Sequence, residues 1–175
     1  MINFHDITYL HSGTEKQIKA HQVLTEKKIL EKLSAFSPIL VGTIPINIDI
    51  EGSDLDIICY VQDKATFIKT LTNLFQNEKG FTISENPSLQ SVKANFFIDQ
   101  FEFEIFGQNI PTVMQNAYRH MLIEHKILLE KGETFRREII KLKNHGIKTE
   151  PAFARLMGLK GDAYQILLQL GIDKP

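Results

Sequence analysis

From Thr14 or Glu15 to Phe36, apolar residues return at spacings near three and four (Ile18, Val23, Leu24, Ile29, Leu30, Leu33) with lysines and glutamates between them, which predicts an amphipathic helix. The stretch Ser34 to Pro38 ends it, because proline disfavours helical geometry in the residue before it. Ile39-Leu40-Val41 is then wholly apolar and closes on Gly42, the pattern of a buried strand entering a tight turn. Thr43 to Ser53, with Pro45 and Gly52, reads as an ordered but irregular loop. A second strand is expected over about Asp54 to Val61. A helix then opens at Asp63 or Lys64, runs through Phe67, Ile68, Leu71, Leu74 and Phe75, and ends at Lys79-Gly80. Phe81 to Ser84, Val92 to Ile98 and Phe101 to Phe106 read as three further strands. Asn86-Pro87-Ser88 is a turn, and Asp99-Gln100 has the length of a hairpin connection.

Beyond Pro111 the periodicity is helical: roughly 112–131, 133–145, 150–157 and 161–170, with Gly132, Gly146, Gly158, Gly161 and Gly171 at the breaks. The change from strands to helices near residue 110 predicts an α+β fold, a small mixed β-sheet flanked by helices. Residues 1–110 would form the core that carries the acidic positions described below, and 111–175 a helical C-terminal region packed on it. Two short helices at the end suggest a helix-turn-helix only superficially, since they lack a basic recognition face; a DNA-binding reading would need a basic patch around Lys141, Lys143, Lys148 and Arg155.

Composition narrows the classes of function. Twenty basic residues against twenty-one acidic ones give no general attraction to nucleic acid or anionic membrane and leave only a local basic patch as a route to nucleic acid. No apolar run approaches the roughly 20 residues that span a bilayer, and MINFHDITYLHSG is too polar for a signal peptide. The single cysteine, Cys59, lies in an apolar strand run and reads as a buried thiol. The expectation is a cytoplasmic protein.

The chemistry concentrates between Gly42 and Asp56, GTIPINIDIEGSDLD. Side chains alternate along a strand, so Asp54 and Asp56 share a side while Leu55 and Ile57 take the other. Two adjacent carboxylates repel, and a fold that keeps them together usually has a cation between them. Further on, FEFEIFG alternates strictly and puts Glu102 and Glu104 on one face. A glycine turn, a same-face pair of aspartates and a third acid on a neighbouring strand meet the needs of phosphoryl and nucleotidyl transfer, in which divalent ions clamp the attacking oxygen, the phosphorus and the leaving pyrophosphate. Without a Cβ at Gly42 a triphosphate can approach the backbone, and the amide and hydroxyl of Thr43 can donate to it. Ser53 would add a hydroxyl contact or cap the loop.

These residues carry a resemblance. A hydrophobic strand, Gly-[Ser/Thr], about ten residues and Ser-Asp-x-Asp-hydrophobic resembles the signature of the nucleotidyltransferase superfamily, the DNA polymerase β-like fold; here Gly42 to Asp54 is twelve positions. More narrowly, GTIPINIDIEGSDLDIICYV, FEFEIFGQ, NAYRHMLIEHKIL and TEPAFARLMGL resemble a small bacterial family of uncharacterised nucleotidyltransferase-like proteins. The superfamily resemblance implies Asp54 and Asp56 as metal ligands for Mg2+ (or Mn2+), and Gly42-Thr43 as the phosphate turn. It implies Glu104, which fits better than Glu102, as third ligand or base. The implied partners are a nucleoside triphosphate and an unknown hydroxyl-type acceptor. Threonine stands where serine is commoner. The loop Ile44–Gly52 holds Asp49 and Glu51 but no lysine or arginine, so it offers a triphosphate no cation. The competing reading is a catalytically inactive module of the same fold that binds a nucleotide or a protein partner.

One histidine needs weighing. Met114, Tyr118, Met121, His125 and Leu128 fall on one helical stripe, so His125 is a boundary residue or, with Arg119, reaches the cleft. Arg119 and His120 lie on another part of that helix. Arg136 and Arg137 read as solvated charge.

Overall fold

A computed structural model describes residues 2–171. Five strands form one mixed sheet: β1 (Ile39–Val41), β2 (Leu55–Tyr60), β3 (Lys79–Asn86), β4 (Ser91–Ile98) and β5 (Phe101–Gln108), in the spatial order β1-β2-β5-β4-β3. Only β2 and β5 run parallel; the other neighbours are antiparallel. Helices α1 (Glu15–Glu26), α2 (Ile29–Lys32) and α3 (Lys64–Phe75) precede the last three strands, and α4 (Asn116–Asn144), α5 (Thr149–Leu156) and α6 (Ala163–Leu170) follow them. The α+β architecture is therefore the one expected. Among the described residues no helix is long and apolar enough to cross a membrane.

Strand alternation divides the interior into two cores. Leu55, Ile57 and Cys59 of β2 and Phe101, Phe103 and Ile105 of β5 pack against α1–α3, where Phe96 stacks between Phe75 (4.4 Å) and Phe103 (5.3 Å). Ile58 of β2 and Phe106 of β5, on the opposite face, meet the C-terminal helices through Tyr118, Met121, Phe153 and Leu167. Apolar side chains on both faces of the same strands are what allow 175 residues to cover a sheet on two sides.

Three expected boundaries shift. The long first helix breaks at Lys28, which takes a left-handed φ of 54°, and the turn it makes buries Ile29 and Leu33 completely. Lys79-Gly80 does not end α3, which stops at Phe75; both residues belong to β3, where the register slips between Lys79 and Thr82. The hairpin between β4 and β5 is present without Asn-Gly, because Asp99 supplies the positive φ at 53°. The predicted division of the helical half near Gly132 appears as a kink inside α4, where φ is 77° and ψ −171°.

The loop from Thr43 to Ser53 is ordered by burial and by borrowed donors. Ile44 enters the core under α1–α3, whereas Ile46 and Ile48 enter the one under the C-terminal helices. Its carbonyls accept from four side chains outside it: Gln17 to Ile44 (2.8 Å), Arg136 to Ile46 (2.5 Å) and Asn47 (2.9 Å), Lys143 to Ile48 (2.7 Å) and Lys16 to Ile50 (2.7 Å). Arg136 is thus not solvated charge, since one guanidinium nitrogen, Nη1, donates to two successive carbonyls. Buried Lys143 likewise cannot serve a basic DNA-binding face.

Candidate active site

The sheet brings the sequence-predicted acids together by register. Asp56 is the partner of Val41 in β1 and of Glu104 in β5, so its carboxylate has the glycine turn on one side and Glu104 on the other. Asp54 lies just before β2 and is close enough to Asp56 for the two charges to oppose each other. Gly42 has φ 86°, and a Cβ there would collide with Asp56 Oδ2, so glycine both makes the turn and leaves room for the carboxylate. Asp56 and Glu104 line a cleft of about 660 Å³ together with Gly42 and Thr43.

Electrostatics at this point are strained in one direction. Burial first, then the charges of Asp54 and Glu104, push the Asp56 pKa up to about 8. Asp54 moves the same way, through burial and Glu104, against a hydrogen bond from its own backbone. Lys93 and Lys143 pull both carboxylates back down without prevailing. Lys93, on β4, donates to Glu104 Oε2 at 3.0 Å. This residue was missed from sequence, although strand parity would have found it: Val92 and Ala94 are buried, so Lys93 faces the other way, beside Phe106 and diagonal to Glu104.

Glu102 goes elsewhere. It accepts from Asn95 Nδ2 at 3.4 Å and lines a separate hollow of about 720 Å³ with Asp49, Gly52 and Ser53. Ser53 Oγ accepts the Ile50 amide at 2.9 Å, which is the loop-capping role. The acidic loop residue Asp49 is 3.5 Å from Lys16, so its charge is answered locally.

The C-terminal helices supply the rest of the cleft wall. Gln115 ties them to the sheet by donating to Cys59 O (2.9 Å) and Ile110 O (2.8 Å). His125 does not reach the cleft: it is buried, with its ring edge-on to Phe4 at 5.1 Å. His120 does, with Glu124 and Glu150 beside it. Tyr118, Met121, His125 and Leu128 of the apolar stripe form the core face of α4, so a histidine there is buried, whereas Met114, expected on the same stripe, lies in a short 3-10 turn before the helix and is exposed.

The cleft acids suit a divalent cation that prefers hard oxygen ligands. Asp54, Asp56 and Glu104 lie close enough for their charges to oppose one another, Lys93 contacts Glu104 alone, and burial penalises the charge of the two aspartates.

Several solved polymerase and terminal-transferase structures share this fold. The Cid1 poly(U) polymerase with Mg 3′-dATP bound superposes with a TM-score of 0.58 at 13% identity, covering 88% of this chain and 48% of that one. A cytoplasmic RNA terminal U-transferase gives 0.51 at 13%, covering 74% and 39%. The polymerase core of TRAMP, an RNA surveillance complex, gives 0.52 at 12%, covering 92% and 50%. The chain thus spans about half the length of these proteins or less, and the likeness establishes a nucleotidyltransferase-like fold. No curated protein matches the sequence. Over residues 22–170 the sequence matches a family described as Domain of unknown function (DUF4269), and the chain belongs to that family.

Proposed function

We propose that this chain is a Mg2+- or Mn2+-dependent nucleotidyltransferase that moves a nucleoside monophosphate from a nucleoside triphosphate to a hydroxyl acceptor. The observation that carries this reading is the register Asp56–Glu104 beside the glycine turn, with Asp54 adjacent, at an open cleft. Asp54, Asp56 and Glu104 would hold the metal, and a cation bound there supplies Lewis-acid stabilisation of the charge developing on the phosphates.

The chain's own groups do the rest. Gly42 lets the triphosphate come close to the backbone, and Thr43 offers its amide and hydroxyl to phosphate oxygens. Lys93 exchanges Glu104 for a phosphate oxygen when nucleotide enters, which frees the Glu104 carboxylate to accept the acceptor hydroxyl's proton. The new bond joins that oxygen to the α-phosphorus. The bond between the α-phosphorus and its bridging oxygen breaks, and pyrophosphate leaves with the electron pair. We assign the acids to the α+β part, residues 1–110, and the far wall to the helical part, 111–175. The narrower resemblance to bacterial nucleotidyltransferase-like proteins fits this assignment.

The test is incubation with each labelled nucleoside triphosphate and Mg2+ or Mn2+, following pyrophosphate release and label transfer. Because the structural neighbours include a poly(U) polymerase and an RNA terminal U-transferase, an RNA 3′ end belongs among the acceptors, beside small hydroxyl compounds and the protein itself. Turnover that disappears in the Asp54→Asn, Asp56→Asn double variant supports the proposal. Turnover that persists in it refutes the mechanism, and nucleotide binding without turnover under any condition would leave an inactive binding module.

A further inference from the structure

His120, Glu124 and Glu150 form a second cluster in the cleft wall, contributed by two helices. Glu124 follows His120 by four residues on α4, so both project from one face, and Glu150 stands in the first turn of α5. One ligand atom from each lies within 4.8 Å of the other two.

The proton inventory of this cluster is unbalanced. His120 Nε2 is 3.0 Å from the Tyr164 carbonyl, which can only accept, so Nε2 carries a hydrogen. In the neutral ring Nδ1 is then a bare lone pair, and it faces Glu150 Oε1 at 3.1 Å. Two lone pairs at that distance need a proton or a cation between them. Glu124 increases the demand: the residue is 4% exposed, and its Oε1 has no hydrogen-bond partner. A buried carboxylate oxygen left in this way is costly and rare. Lys143 is the nearby cation felt by both glutamates, but its ammonium is held by the Ile48 carbonyl at 2.7 Å.

We propose that His120 Nδ1, Glu124 and Glu150 bind a divalent cation of the zinc type, at a site separate from Asp54, Asp56 and Glu104. Two ligands on one ion with bonds of about 2.1 Å lie roughly 3–3.5 Å apart in a tetrahedral shell, and the His120–Glu150 pair already has that separation. Donation of the other ring nitrogen to a backbone carbonyl is the usual second contact of a metal-bound histidine, fixing tautomer and ring plane. The imidazole distinguishes this set from the all-carboxylate one: nitrogen with oxygen suits Zn2+, and oxygen alone suits Mg2+ or Mn2+. Three protein ligands at the edge of a cleft leave a coordination position for a substrate oxygen. The inference stands on these distances and does not depend on nucleotidyl transfer.

The experiment is titration of the full chain, stripped with chelator, with Zn2+ by calorimetry alongside thermal melting. The background is Asp54→Asn, Asp56→Asn, so that the first set of acids is silent. One equivalent of Zn2+ should bind and raise the melting temperature. His120→Asn with Glu124→Gln should weaken that binding by about 100-fold. Glu124→Gln alone keeps size and shape, and far-UV circular dichroism of both variants confirms that they fold. Co2+ in place of Zn2+ should give a visible absorption band that His120→Asn abolishes. The surface pair His11–His21, with ring centroids 5.6 Å apart, is the competing zinc ligand. Zinc binding lost in His21→Ala but kept in His120→Asn, Glu124→Gln would overturn the proposal, as would no binding in the double-aspartate background. In the latter case a proton, shared between His120 and Glu150, fills the gap.

Discussion

The two ends of the cleft are built in opposite ways. At the sheet end, Asp54, Asp56 and Glu104 stand on or beside adjacent strands, and backbone hydrogen bonding fixes their spacing. At the helical end, His120 and Glu124 come from α4 and Glu150 from α5, two helices whose facing is set by side-chain packing and a few side-chain hydrogen bonds. Strand register sets a position to within one residue, because a slip by one sends every side chain to the other face. Helix rotation is continuous and is settled only when the core closes. The difference teaches why one end can be read from a motif and the other cannot.

It also says where each end is fragile. The largest expected stability effect lies at Asp56, whose pKa is raised to about 8 in the folded chain against an ordinary value near 4. A raised carboxylate binds its proton more tightly folded than unfolded. Its contribution is complete below pH 4 and is lost as pH climbs through 8. Metal-free protein should therefore melt at progressively lower temperature from pH 5 to pH 8.5. Asp56→Asn should flatten that slope, and Mn2+ should oppose it at high pH by replacing the proton. An unchanged slope in Asp56→Asn would place the strain elsewhere.

Gly42→Ala comes next. A left-handed φ and a Cβ driven into Asp56 Oδ2 should cost about 2–3 kcal/mol in denaturant unfolding and displace the carboxylate. Stability unchanged within about 0.5 kcal/mol would show that the turn is not held by the acid. Arg136→Ala is smaller: loss of the two carbonyl contacts should cost about 1–2 kcal/mol and loosen the loop Thr43–Ser53, seen as faster amide exchange at Ile48. Exchange that stays slow there would assign the loop's order to its buried isoleucines alone.

Much of this was legible in the sequence, and the reasons differ by residue. The strand Ile39–Val41, its glycine and the Asp-x-Asp pair are local patterns, and the structure keeps them together. The choice between Glu102 and Glu104 needed pairing information, because alternation gives both glutamates the same parity while only the β2–β5 register sets Glu104 beside Asp56. Arg136 could not be placed, since nothing in the helix containing it shows that it folds onto carbonyls some ninety residues earlier. The apolar stripe points to His125 and not to His120, yet the cleft cuts across one edge of that stripe, reaching Met121, His120 and Glu124 and leaving His125 inside the core. The acidic loop looked like a gap in phosphate binding. The structure sets Lys93 of β4, about fifty residues beyond Gly42, against Glu104, and the proposed mechanism gives the phosphate contact to this lysine.

The central claim is that Glu104, which register sets beside Asp56, serves the proposed reaction, while Glu102, which accepts from Asn95 and lines the other hollow, does not; it is tested most directly by pyrophosphate release in Glu104→Gln and Glu102→Gln side by side. Glu104→Gln should lower turnover on the order of 10³-fold, with Glu102→Gln within a few-fold of the unaltered chain. Equal losses, or a larger loss at Glu102, would contradict the account.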